Sequence, residues 1–328
     1  LGGGSTTDGP NGTVAIGSSA GRTITTGENN TFVGYNAAYN VTTGGSNTIV
    51  GRHAGNKIEK GSSNAFLGYS AGHYTTGSYN TFVGAGAGKG GTTSAPYSSG
   101  VNNVAIGYNA LTAFTTGNHN NVIGYLAGDA INSGASNNLL GYYAGGAITT
   151  GNYNVALGHS ALQSISNVDG NTAVGHQAFM SRTTGDGVAI GRGAGITGGG
   201  ADAIYIGLNA GALAGSSSGY CIGIGNWALR FNDDGEYNVA IGRVSQMGIS
   251  GKSHSNNTSV GYESLKYIVS DNSVGIGYQA GTYASGSNNT FVGSSAGKGG
   301  TTSAPFSSGT KNVAVGYEAL TGFTTSLG

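Results

Sequence analysis

Asn120-Asn121-Val122-Ile123-Gly124-Tyr125-Leu126-Ala127-Gly128 is followed, 17 residues on, by Asn137-Asn138-Leu139-Leu140-Gly141-Tyr142-Tyr143-Ala144-Gly145. Outward from these two anchors, a glycine preceded by an aliphatic residue and followed at three places by alanine or serine recurs eighteen times. The anchors are Gly17, Gly34, Gly51, Gly68, Gly84, Gly107, Gly124, Gly141, Gly158, Gly175, Gly191, Gly207, Gly225, Gly242, Gly261, Gly277, Gly293 and Gly316. The gaps are 16 to 19 residues, except for two of 23. A unit this short cannot bury a core alone, so it must stack on copies of itself. The expected fold is all-β: a parallel β-solenoid, or β-roll, of about 18 coils with ~17-residue repeats, assembled as an intertwined or side-by-side trimer. No stretch sustains helical periodicity. At a strand spacing of about 4.7–4.9 Å, eighteen coils would make a rod roughly 85 Å long. Residues 1–10 read as a lead-in and 11–325 as one continuous array.

With the glycine of each coil numbered zero, position −1 is aliphatic in all eighteen coils, from Ile16 to Val315. That constancy assigns −1 to the interior, where each side chain would contribute roughly 1.5–3 kcal/mol. Leu157→Asp would then disrupt the core with an unpaired charge. Successive strand residues face opposite sides. Position −2 would therefore point outward, although it carries Phe32, Phe66, Phe82, Leu139, Tyr205 and Phe291, which implies a second buried surface between chains. Position +3 is alanine in sixteen coils and serine in two, which implies close backbone approach. Asparagine at −4 in thirteen coils suits an amide ladder or a tight corner. Thr-Thr-Gly triplets such as Thr115-Thr116-Gly117 supply the opposite corner.

The composition narrows the function. The 66 glycines have no triplet period and only three prolines accompany them, which excludes collagen. Aliphatic residues in fixed register argue against disorder. Thirteen basic and thirteen acidic residues leave a net charge of zero and no basic patch for nucleic acid. No apolar run approaches membrane-spanning length. Cys221 is the single cysteine, so no intramolecular disulfide framework is possible. The chain begins at Leu1 without a signal-peptide pattern, and the expectation is a processed product or part of a longer protein.

The two 23-residue gaps are nearly the same text. Gly88 to Gly100 reappears at Gly297 to Gly309, offset by 209 residues, with Phe306 in place of Tyr97. Twelve coils thus make a super-repeat. Pro96 and Pro305 should lie away from the ladder, where a missing N–H is harmless.

Asn103-Val104-Ala105-Ile106-Gly107, with Ala110 three residues on, resembles the head repeat of trimeric autotransporter adhesins. That resemblance implies a left-handed parallel β-roll with three chains side by side. The longer form, Asn-Thr-Phe-Val-Gly-Tyr-x-Ala-Gly and then Thr-Thr-Gly, is similar to repeats of phage tail fibres and related virion proteins. The coil of about 17 residues and the 23-residue coils depart from the adhesin pattern. Neither its coiled-coil stalk nor its membrane anchor is seen in these residues.

Sites for chemistry are few. Gly84-Ala85-Gly86-Ala87-Gly88-Lys89 fails as a phosphate loop on spacing, and no serine or threonine follows its lysine. Asp233, Asp234 and Glu236 could offer oxygens to calcium or form a solvated loop. His159 and His176 share position +1 in adjacent coils, as a metal pair or as exposed histidines. Neither group forms the paired carboxylates of a glycan-cleaving cleft, so no enzyme, metal or cofactor is expected. Position +1 holds Tyr35, Tyr69, Tyr108, Tyr125, Tyr142, Tyr262, Tyr278 and Tyr317. With Tyr97 and Phe306 of the insertions, these are the candidate surface-binding residues. Aromatic rows suit sugar or protein recognition, or they simply cover glycine-rich backbone.

The expected function is a structural, adhesive fibre segment, extracellular on a virion or cell surface. A phage tail fibre comes first, and a bacterial adhesin head or extracellular filament subunit second. Its partners would be its own copies and a host-surface glycan or protein, with neither nucleic acid nor membrane insertion. An ice-binding solenoid is a remote third, because the threonine pairs are missing from several coils.

Overall fold

The computed structural model describes residues 11–92, 94–182, 185–197, 200–215, 217–300 and 306–324. The lead-in 1–10 and Pro305 thus lie outside the described residues. Two compact units divide the chain, Leu1–Asp169 and Gly170–Gly328. The first holds β1 (Val14–Ile16), β2 (Thr31–Val33), β3 (Thr48–Val50), β4 (Ala65–Leu67), β5 (Thr81–Val83), β6 (Val104–Ile106), β7 (Asn121–Ile123), β8 (Asn138–Leu140) and β9 (Val155–Leu157). The second holds β10 (Asn171–Val174), β11 (Gly187–Ile190), β12 (Ala203–Ile206), β13 (Ile222–Ile224), β14 (Val239–Ile241), β15 (Thr258–Val260), β16 (Val274–Ile276), β17 (Thr290–Val292) and β18 (Val313–Val315). None of the described residues is helical.

Each coil contributes one short strand, and within each unit a strand pairs in parallel with its sequence neighbours. The register sets like positions side by side, as in Val122↔Leu139 and Ile123↔Leu140. The two units are thus all-β parallel solenoids built on a repeat of about 17 residues. Position 0 must be glycine for two reasons. Its φ lies in the left-handed half of the map (+143° at Gly124), and a Cβ at Gly124 would stand 2.2 Å from the carbonyl oxygen of Gly141.

The interior is the reverse of what the constancy of −1 suggests. Position −2 points in: Phe32, Phe66, Phe82, Leu139, Tyr205 and Phe291 are all at most 1% exposed. Position −1 points out, and Leu157, the proposed site of core disruption, is 43% exposed. The alternation itself holds, with −3 and −1 on one face and −2 on the other. Only the side is exchanged, and with it the −2 interchain surface becomes core.

Volume explains the exchange. The core is filled from −4, −2, +3, +4 and +7, and −2 trades size with +4. Where −2 is large, +4 is small: Phe32 with Ala38, Phe66 with Gly72, Phe82 with Gly88, Leu139 with Gly145, Tyr205 with Gly211, Phe291 with Gly297. A Cβ at Gly72 would lie 2.4 Å from the Phe66 ring, and one at Gly297 would lie 2.0 Å from Phe291. Where −2 is alanine, +4 is bulky in several coils, as in Ala105 with Leu111, Ala156 with Leu162 and Ala173 with Phe179; Gly21 and Gly195 are exceptions that face the rings of neighbouring coils. All six side chains of those three pairs are buried. A core position that varies in compensated pairs looks less strictly apolar than an outer position that does not.

The −4 asparagines form the predicted ladder. In the first unit Asn47 donates its backbone N–H (2.9 Å) and its Nδ2 (3.1 Å) to Asn30 Oδ1, and Nδ2 also reaches the Gly61 carbonyl at 3.0 Å. The pattern continues through Asn64, Asn80, Asn103, Asn120 and Asn137. It ties each strand entry to the Thr-Thr-Gly-type corner across the core. In the second unit Gly187, Ala203 and Cys221 interrupt the ladder. Beside Gly187 the buried Arg182 guanidinium takes over, donating to the carbonyls of Gly185, Asp186 and Gly200.

Candidate functional site

The outer face of each unit's sheet carries positions −3 and −1. No charged residue occupies either position in any coil. Ile106, Ile123, Leu140 and Leu157 stand on consecutive rungs of β6 to β9, all exposed. In the second unit Ile241, Val260 and Ile276 stand exposed on consecutive rungs of β14 to β16, and Ile190 is exposed on β11. Contiguous exposed apolar surface of this kind is, in general, what proteins use for association.

Beside it runs position +1, where most candidate aromatics stand. Tyr108 and Tyr125 stack with centroids 5.3 Å apart and planes 17° from parallel, and Tyr125 and Tyr142 at 5.3 Å and 8°. His159 stacks on Tyr142 at 4.8 Å and carries the column on. Tyr143 closes on Tyr142 edge-on at 4.6 Å. Centroid spacings of this size suit offset stacking. The ring faces are turned to one another, so the column offers a partner its edges and its hydroxyls.

Elsewhere position +1 alternates rings with guanidinium groups. Arg52 Cζ lies 6.0 Å from the Tyr35 ring and 5.8 Å from that of Tyr69, a cation between two aromatics. In the second unit Arg243 Cζ stands 5.7 Å from Tyr262, which stacks on Tyr278 at 5.4 Å. Tyr317 is the most exposed of the set, at 76%. The +1 residues therefore form columns within each unit.

Tyr97 and Phe306 belong to a different corner. The insertion leaves the ladder after Gly91 and returns at Ser98, which bridges to Thr75, with Pro96 exposed between. Tyr97 stacks on Tyr74 at 6.2 Å, and Phe306 packs on both Tyr267 (4.7 Å) and Tyr283 (6.0 Å), which stack on each other at 5.7 Å. Tyr74, Tyr267 and Tyr283 at +6 were not singled out from the sequence. Their signal was the 209-residue offset, which carries Tyr74 onto Tyr283.

Among the described residues, no three of His, Cys, Asp and Glu converge in a way that could hold a metal ion, the Asp233–Glu236 segment included. No helix among them is long and apolar enough to cross a membrane. A scan against protein-family models matches none, and a search of curated proteins returns no relative of this chain.

Proposed function

We propose that this chain is a structural fibre segment that self-associates through the outward −1 column, as a homotrimer, and presents its +1 aromatic columns to a host-surface glycan or protein. One observation carries the reading: every coil keeps an aliphatic side chain at −1 although the solenoid interior is filled without it. A single chain has no use for such a column. A second copy does, because it offers the same uncharged column at the same rung spacing. The setting that fits best is a phage tail fibre or a similar virion fibre outside the cell. The Asn-Val-Ala-Ile-Gly form of the coil supports a bacterial adhesin head or filament subunit as the second reading. Structure is the proposed role rather than catalysis.

Light scattering on the purified chain tests the assembly. Three times the 32.3 kDa chain mass is expected, and a monomer mass at micromolar concentration would sink the trimer. Ice binding is checked separately by thermal hysteresis, with none expected.

A further inference from the structure

The corner at +5 and +6 carries a charge asymmetry between the two units. In the first unit His53 and Lys57 follow Gly51, His73 follows Gly68, and Lys89 follows Gly84. Lys57 Nζ lies 5.8 Å from the Tyr97 ring and Lys89 Nζ lies 5.9 Å from the Tyr74 ring. Since Tyr74 and Tyr97 stack, both ammonium groups stand on one two-ring platform. His73 packs on Tyr74 at 4.3 Å and on His53 at 5.7 Å. The Nδ1 atoms of both histidines are buried without a hydrogen-bond partner. Burial lowers the His73 pKa to about 4, helped by the positive charges of His53, Lys89 and Lys57. No carboxylate is among the charges acting on it.

The second unit holds the corresponding corner, with Tyr283, Lys298 and Phe306 matching Tyr74, Lys89 and Tyr97 at the 209-residue offset. Counted from their own anchor glycines, Glu263 occupies the place of His53 and Gln279 that of Ser70. The Glu263 carboxylate accepts from Lys266 Nζ at 2.8 Å and from Gln279 Nε2 at 2.8 Å, and Lys298 Nζ donates to Gln279 Oε1 at 2.9 Å. This corner supplies its own counter-ion. Its counterpart in the first unit has the cations, the rings and two unpartnered imidazole nitrogens, with a histidine where the carboxylate would be.

We propose that the first-unit corner is an anion-binding site. It takes a sulfate, phosphate or carboxylate group, free or carried on a saccharide, with Lys57 and Lys89 supplying charge and the two imidazoles supplying directional hydrogen bonds. The bound anion does for this corner what Glu263 does for the other.

Histidine side-chain NMR of the full chain tests this, titrating first inorganic sulfate and then a sulfated disaccharide. Saturable shifts of the His53 and His73 signals are expected, with a rise in the His73 pKa on binding and still signals from His159. Tighter binding of the disaccharide places the anion on a glycan, and equal affinity places it as a free ion. Two variants, Lys57→Gln with Lys89→Gln, and His53→Glu as a copy of the second corner, should each weaken binding by about tenfold or more. Unchanged far-UV circular dichroism would show that both remain folded. The absence of a saturable shift, or affinity indifferent to both variants, overturns the site whatever the assembly state proves to be.

Discussion

At the scale of single residues, the pairing of −2 with +4 governs what the interior tolerates. Gly72→Leu alone would drive a branched side chain into the Phe66 ring at a left-handed φ of +59°. Phe66→Ala alone leaves a void worth about 3–5 kcal/mol. Together they recreate the natural combination of Ala105 with Leu111, so the double variant should be more stable than the sum of the single costs by at least ~1 kcal/mol. Urea denaturation of the four proteins measures this coupling, and simple additivity would refute the exchange. His254 makes a second prediction. It is fully buried with neither ring nitrogen partnered, and burial lowers its pKa to about 4, against a small opposing pull from Asp271. The unfolded chain takes up a proton below about pH 6.5 that the folded chain refuses until about pH 4. Stability should therefore fall with pH across that window. His254→Leu should flatten the loss by up to ~1.4 kcal/mol per pH unit, read from denaturation midpoints at pH 6.5 and 4.5. Equal slopes would show that His254 titrates freely in the folded protein.

The element is the coil, held to its neighbour by the backbone ladder and, inside the core, by asparagine at −4. Asn120→Ala removes an acceptor for the N–H and Nδ2 of Asn137 and a donor to Gly134. The partners left are buried, so a cost of about 1–3 kcal/mol is expected. Hydrogen exchange should quicken at Asn137 more than at distant Asn47, and uniform exchange would deny the ladder its local role. Period, parallel pairing and this ladder were all legible, because they rest on constancy and the −4 asparagine recurs at a fixed offset. The facing of the strand was not. Alternation says that Ile123 and Val122 oppose each other and is silent on which is inside. The clue lay in six residues' separation, where Phe66 meets Gly72 and Ala105 meets Leu111. The +1 tyrosine column could be read directly, since Tyr108, Tyr125 and Tyr142 share one register. The cationic corner could not, since His53, Lys57, His73 and Lys89 come from three different columns. The two lysines share a platform because the extra loop of the 23-residue coil folds Tyr97 back over Tyr74.

For the whole molecule, the proposed assembly through the outward −1 column can be tested apart from folding. Ile123→Asp together with Leu140→Asp places charge on an exposed face. The strand signal in circular dichroism should survive while the mass by light scattering falls to that of one chain. Loss of the strand signal would return −1 to the interior, and an unchanged trimer mass would move the interface elsewhere. The one-coil reach of the asparagine ladder has a further consequence. Within each unit the partners of a ladder bond are mostly about 17 residues apart and never more than one coil. Closing each successive loop therefore costs nearly the same entropy, and no pairing waits on a distant segment. An all-β chain of this length would ordinarily fold slowly, because its sheets join remote strands. Here contact order is low throughout, so folding can start on any adjacent pair of coils and advance rung by rung. Its kinetics should follow nucleation and growth rather than the search for a global topology.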